Sequence, residues 1–183
     1  MLLPLGILAS AGGVSGAPAM EWISTTYGTG SSASIDLTSI PQTYKHLQLR
    51  MQMFADNNAA KMTFNNVTTS TYASHRLHNS SSTALTSDNE PSQAQIWMRY
   101  TVGTSDPYVV PTVVCDILDY TSTTKNKTAR WLAGRTDTAS GTHYVLLGSG
   151  FLQSTNAITS IKLDSAVGSF RTNTRISLYG VKG

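Results

Sequence analysis

Residues 45–53, K-H-L-Q-L-R-M-Q-M, alternate without a break: Leu47, Leu49, Met51 and Met53 fall on one parity and His46, Gln48, Arg50 and Gln52 on the other. A period of two is that of a strand with one buried and one wet face; an amphipathic helix would repeat its apolar positions every three to four residues. The closing residues 174–183, T-R-I-S-L-Y-G-V-K-G, carry the same signature, with Ile176 and Leu178 alternating with Arg175, Ser177 and Tyr179. A chain whose regular structure closes as it opens, on half-buried strands, is expected to fold into a closed or sandwiched β-sheet.

The segments between these two read alike. Strands are expected over residues 21–26, over 33–40 up to the stop at Pro41, and over 61–67, 93–103, 109–119, 128–133, 142–152 and 157–163. Residues 109–119 are apolar on both parities around Cys115, which predicts a central strand covered on each side. Residues 68–91 are dominated by Ser, Thr, Asn and His, with Tyr72, Leu77 and Leu85 as apolar pins, and read as a long surface excursion. No segment sustains a helical period. About ten strands joined by irregular loops predict an all-β chain, a jelly-roll-like antiparallel β-sandwich with an extended N-terminal arm. The arm is placed at residues 1–19 and the sandwich at 20–183.

A single hydrophobic core suits 183 residues. Charged side chains make up only 13%, against about 25% in ordinary soluble domains, so hydroxyl and amide groups must cover much of the surface. The net charge is +3, but the basic residues are scattered, and no nucleic-acid partner is expected. The lone Cys115 allows neither an internal disulfide nor a cysteine zinc site, and its setting in V-V-C-D-I-L predicts a buried thiol acting as a small apolar residue.

Residues 1–19, M-L-L-P-L-G-I-L-A-S-A-G-G-V-S-G-A-P-A, begin like a signal peptide. No Lys or Arg precedes the apolar run, however, and Pro4 and Gly6 interrupt it. The run is also too short and broken to insert in a membrane. Leu2, Leu3, Leu5, Ile7 and Leu8 would be an aggregation hazard if exposed, so they are expected to serve as an anchor inserted into a larger assembly. An arm packed along its own domain or a sister subunit meets the same requirement, and both readings stay open.

No constellation of catalytic type is found. His75 and His78 have a ligand-like spacing, yet three residues along a strand put them on opposite faces. Asp116 and Asp119 likewise differ in parity and are expected to cap a turn or pair with Lys125 or Arg130. There is no nucleophile elbow, phosphate loop or dinucleotide fingerprint. The chain is therefore expected not to be an enzyme and to need no metal or cofactor. Tyr108, Trp131, His143 and Tyr144, aromatic or amphipathic groups near predicted loops, are the candidates for a recognition surface.

Four blocks, S-I-P-Q-T-Y-K-H-L-Q-L-R, Y-A-S-H-R-L, D-I-L-D-Y-T-S-T-T-K-N-K-T-A-R and R-I-S-L-Y-G-V-K-G, together with the opening M-L-L-P-L-G-I-L-A-S, resemble a family of tailed-bacteriophage virion proteins. The resemblance covers nearly the whole chain and includes no motif of known chemistry. It implies a structural component of the virion, most simply of a tail or tail fibre. Its partners would be other phage structural proteins and, through its loops, a host-surface glycan or protein, and it would form a homotrimer. The alternatives are a decoration protein on the phage head and, from another class, a secreted carbohydrate-binding module.

Overall fold

The computed structural model describes residues 18–56, 59–80, 84–99, 101–103, 110–137 and 141–183. The chain is an antiparallel β-sandwich, with no helix among the described residues. Its strands are β1 (Met20–Tyr27), β2 (Ser34–Leu37), β3 (His46–Phe54), β4 (Ala59–Phe64), β5 (Tyr72–Ser80), β6 (Thr86–Gln93), β7 (Ile96–Arg99), β8 (Val102–Gly103), β9 (Thr112–Leu118), β10 (Lys127–Asp137), β11 (Thr142–Leu152), β12 (Ile161–Ser165) and β13 (Arg175–Val181). The larger sheet runs β1-β13-β3-β9-β10-β11-β5-β6, with the short β8 pairing in parallel to the end of β3; the smaller runs β2-β12-β4-β7.

The expected period of two decides which side chains meet between the sheets. On β3, Leu47, Leu49, Met51 and Met53 are all at most 2% exposed and face the smaller sheet's Ile35, Leu37, Met62, Phe64, Ile96, Met98, Ile161 and Leu163. Each such side chain contributes about 1.5–3 kcal/mol on burial. Tyr72 of β5 ties the two layers together: its hydroxyl accepts a 2.9 Å hydrogen bond from the Phe64 N–H of β4. Within the larger sheet, Thr174, just before β13, accepts from Phe54 N–H of β3 at 2.9 Å and donates to Phe54 O at 3.0 Å.

The eight strands β1, β2, β3, β4, β7, β9, β12 and β13 make two four-stranded layers, and β10, β11, β5 and β6 prolong the larger sheet past β9. The sequence reading misses half of this extension. Residues 72–80 and 86–93 are strands, not a surface excursion, because their inward positions carry Tyr72, Ser74, Arg76 and His78 where apolar residues would be looked for. Arg76, only 4% exposed, donates to Asp88 and Glu90 of β6 at 3.1 Å each, and Glu90 also accepts from Arg99 at 2.6 Å. Ion pairing thus offsets the burial of charge on a face that an ordinary strand fills with hydrocarbon, while Ser74 Oγ, Arg76 Nε and Nη1 and Glu90 Oε2 find no partner among the described residues. β6 lies at the sheet's edge, where Pro91, lacking an N–H, breaks no ladder.

Two further expectations change. β9 is central in its sheet, between β3 and β10, but covered on one side only: Val113, Cys115 and Ile117 are buried, while Val114 is half-buried and Leu118 exposed. The strand expected over residues 93–103 divides into β7 and β8, with the Thr101 hydroxyl donating to Met98 O at 2.6 Å between them.

Candidate interaction surface

On two strands of the extension, β10 and β11, both parities carry apolar residues. On β10, Ala129, Trp131 and Ala133 point inward and Arg130, Leu132 and Gly134 outward. On β11, Leu146, Gly148, Gly150 and Leu152 point inward and Val145, Leu147, Ser149 and Phe151 outward. Cross-strand register then sets Val114, Leu132, Leu147 and Leu77 directly opposite one another on four neighbouring strands. Leu132 is 58% exposed, Leu147 48%, Leu77 44% and the adjoining Val145 64%. Single exposed aliphatics are ordinary; an aligned row of them makes this the candidate interaction surface.

Beside this row the face is concave. A trough of about 570 Å³ is lined by the aliphatic Leu77 and Leu147 and by the polar or charged His75, Arg76, Asp88 and Arg130. The volume falls in the range of ligand and peptide sites. Across β9 the character changes. The outer face of β3 and β13 carries Gln48, Arg50, Gln52, Arg175 and Tyr179, with the Arg50 guanidinium 5.2 Å from the centre of the Tyr179 ring and its Nε donating to Gln48 Oε1 at 3.1 Å. The larger sheet therefore presents a polar, basic half toward β1 and an aliphatic half toward β5.

Of the residues singled out for recognition, His143 and Tyr144 line one hollow with Val110 and Thr112. Trp131 is a correction: at 1% exposure it is the largest fully buried side chain, lying against the backbone of Gly148, and it takes no part in a surface. It entered the candidate set because it neighbours a polar turn, but its parity on β10 is inward. His143 lies exposed on the outer face, its Nδ1 3.2 Å from Thr136 Oγ1. Tyr144 has the opposite parity, with the Arg135 guanidinium 4.6 Å from its ring centre. Tyr108 and the anchor residues Leu2, Leu3, Leu5, Ile7 and Leu8 lie outside the described residues. The aliphatic row was missed because each member looks unremarkable on its own strand.

The remaining titratable groups take structural roles. His75 is exposed on the outer face and His78 buried on the inner one, 3.7 Å from Asp88. Asp119 pairs with Lys125 at 2.7 Å and Lys45 at 3.0 Å, and these lysines, Lys125 foremost, hold its carboxyl down to about 2. Asp116 lies 3.6 Å from Arg130. Burial pushes the Cys115 thiol well above its usual range, which leaves it an unreactive core group. Among the described residues no three His, Cys, Asp or Glu side chains gather as a metal site would require. The sequence matches no protein-family profile, and no curated protein matches it significantly.

Proposed function

We propose that the chain is a structural component of a tailed-bacteriophage virion, carried in the tail or a tail fibre. The observation that supports this reading is the aligned row Val114, Leu132, Leu147 and Leu77 on the outer face of a sheet in a chain so poor in charge. Such a face is suited to packing in an assembly. Two sheets packed over one core and tied by the bond from Phe64 N–H to the Tyr72 hydroxyl supply the rigid module that a particle needs. The strand orders β1-β13-β3-β9 and β2-β12-β4-β7 favour a jelly-roll plan, in which successive strands cross between layers. In this reading neighbours in the particle, including sister copies in a trimer, cover the aliphatic half, and the loops are left for the host surface.

Quantitative mass spectrometry of purified virions of the encoding phage tests the proposal. A tail component is present at a few to a few dozen copies. Hundreds of copies would move the protein to the head as decoration, and its absence from washed particles would refute the virion reading altogether.

A further inference from the structure

We infer that the polar half of the larger sheet's outer face, where β13, β3 and β9 lie side by side, binds a carboxylated sugar between Arg50 and Arg175. A hollow of about 300 Å³ opens there, at the small end of the range for ligand sites. It arises from a short residue set among long ones. Ser177, only 3% exposed, has Arg175 and Tyr179 two residues to either side of it on β13 and Arg50 directly opposite on β3. Thr112 and Val114 of β9 close the far side.

The two guanidiniums have no carboxylate partner among the described residues, whereas Arg76, Arg99, Arg130 and Arg171 each have one. In register Arg50 stands opposite Ser177 and Arg175 opposite Gln52, so the two arginines are diagonal neighbours, roughly 7–8 Å apart at the backbone. The neighbouring carboxylate, Asp116, is engaged by Gln48 Nε2 at 3.0 Å and lies 3.6 Å from Arg130. Gln48 in turn accepts from Arg50 Nε at 3.1 Å, and the centre of the Tyr179 ring is 5.2 Å from the same guanidinium. Arg50 is thus held by its Nε and by one face, and both its Nη groups can fork onto a carboxylate.

The groups beside the arginines select a sugar as the carrier of that carboxylate. Trp22 stands opposite Tyr179 in register and is 64% exposed; its Nε1 donates to Thr25 Oγ1 at 3.0 Å, and Thr25 Oγ1 lies 2.9 Å from Ser177 Oγ. That chain of bonds draws the indole along β1 toward the hollow, where an amphipathic ring can pack on it. Gln52, exposed opposite Arg175, supplies an amide for ring hydroxyls. A polynucleotide would need a longer basic track than two arginines provide. Neither the site nor its test depends on the virion reading.

The test is an NMR titration of the isotope-labelled full chain with trigalacturonate and with sialyllactose, each against its neutral counterpart, the methyl ester and lactose. The expected result is saturable shifts at Arg50, Gln52, Arg175, Ser177 and Tyr179 with an acidic sugar and binding of its neutral counterpart weaker by roughly tenfold or more. Arg50→Gln and Arg175→Gln each weaken binding of the acid by about tenfold. Both arginines are exposed, so these variants keep the parent's circular dichroism. Lys162→Gln, which removes the same charge from the outer face of the smaller sheet, binds as the parent does. No binding of either acid at about 10 mM, equal affinity for acid and neutral counterpart, or a loss in Lys162→Gln equal to that in Arg50→Gln overturns the inference. Inorganic phosphate bound as tightly as the acidic sugars overturns it too, by reducing the hollow to a general anion site.

Discussion

Gly148→Ala isolates the contact on which the β-sheet extension rests. A Cβ built on Gly148 would stand 2.1 Å from Trp131 Cε2, 2.2 Å from Cζ2 and 2.6 Å from Nε1. Ordinary contact needs more than 3.4 Å, so the indole must shift by over an ångström in a core packed as tightly as a crystal. The backbone at Gly148 does not have a positive φ, so the cost is steric alone. Overpacking typically costs about 1–3 kcal/mol and complete loss of a buried tryptophan about 3–5 kcal/mol. A displaced Trp131 falls between them, at about 3 kcal/mol, or a fall in Tm of roughly 6–12 °C for a chain of this size. Gly134→Ala on β10 is the matched control: its Cβ would meet nothing nearer than Tyr144 O at 4.0 Å, and the change is neutral or stabilises by a few tenths of a kcal/mol. Trp131→Phe removes the conflicting Cζ2 and Nε1 atoms. The indole N–H has no partner among the described residues, so this change forfeits no hydrogen bond. Combined with Gly148→Ala it is less damaging than the sum of the two changes, by about 1 kcal/mol or more. Urea unfolding followed by fluorescence and circular dichroism reads all four variants. A Gly148→Ala protein within about 0.5 kcal/mol of the parent, or no worse than Gly134→Ala, would refute the packing argument.

Other sites give sharper local readings. Lys127 is fully buried and donates to the carbonyls of Ser122 at 2.5 Å, Lys125 at 2.9 Å and Thr155 at 3.2 Å, while desolvation lowers its pKa. Lys127→Met therefore destabilises by about 2 kcal/mol, and hydrogen exchange shows the loss concentrated in residues 120–127. Arg76→Met leaves Asp88 only His78, at 3.7 Å, and Glu90 only Arg99; it costs about 3 kcal/mol and loosens β6 before the rest, so uniform exchange protection across β5 and β6 would contradict it. Asp119 titrates in the folded chain below its ordinary value, so its contribution to stability is full above about pH 4 and is lost as pH falls toward 2. Asp119→Asn flattens the decline of the urea midpoint through that window, and an unchanged slope would remove Asp119 from the account.

Much of the architecture was written in the period of two. β3, β12 and β13 are legible because their inward positions, from Leu47 and Leu49 through Ile161 and Leu163 to Ile176 and Leu178, are consistently apolar and their outward ones polar. The pairing of Asp119 with Lys125, the separation of His75 from His78 and the burial of Cys115 follow from parity and local spacing in the same way. β5 and β6 were illegible because Arg76 becomes acceptable inside only when Asp88 and Glu90 arrive from another strand. Trp131 on β10 was misassigned to the surface because both of that strand's parities are apolar; Gly148, whose missing side chain on β11 leaves room for the indole, decides that it lies inside. The aliphatic surface depends on register alone. Val114, Leu132, Leu147 and Leu77 are separate positions until four strands align them. Local side-chain order therefore determined the class of structure and most of its strands. Which tryptophan is buried, which ion pairs line the interior and where the surface becomes apolar were decided by partners distant in sequence, because burial and exposure are properties of neighbours brought together in space.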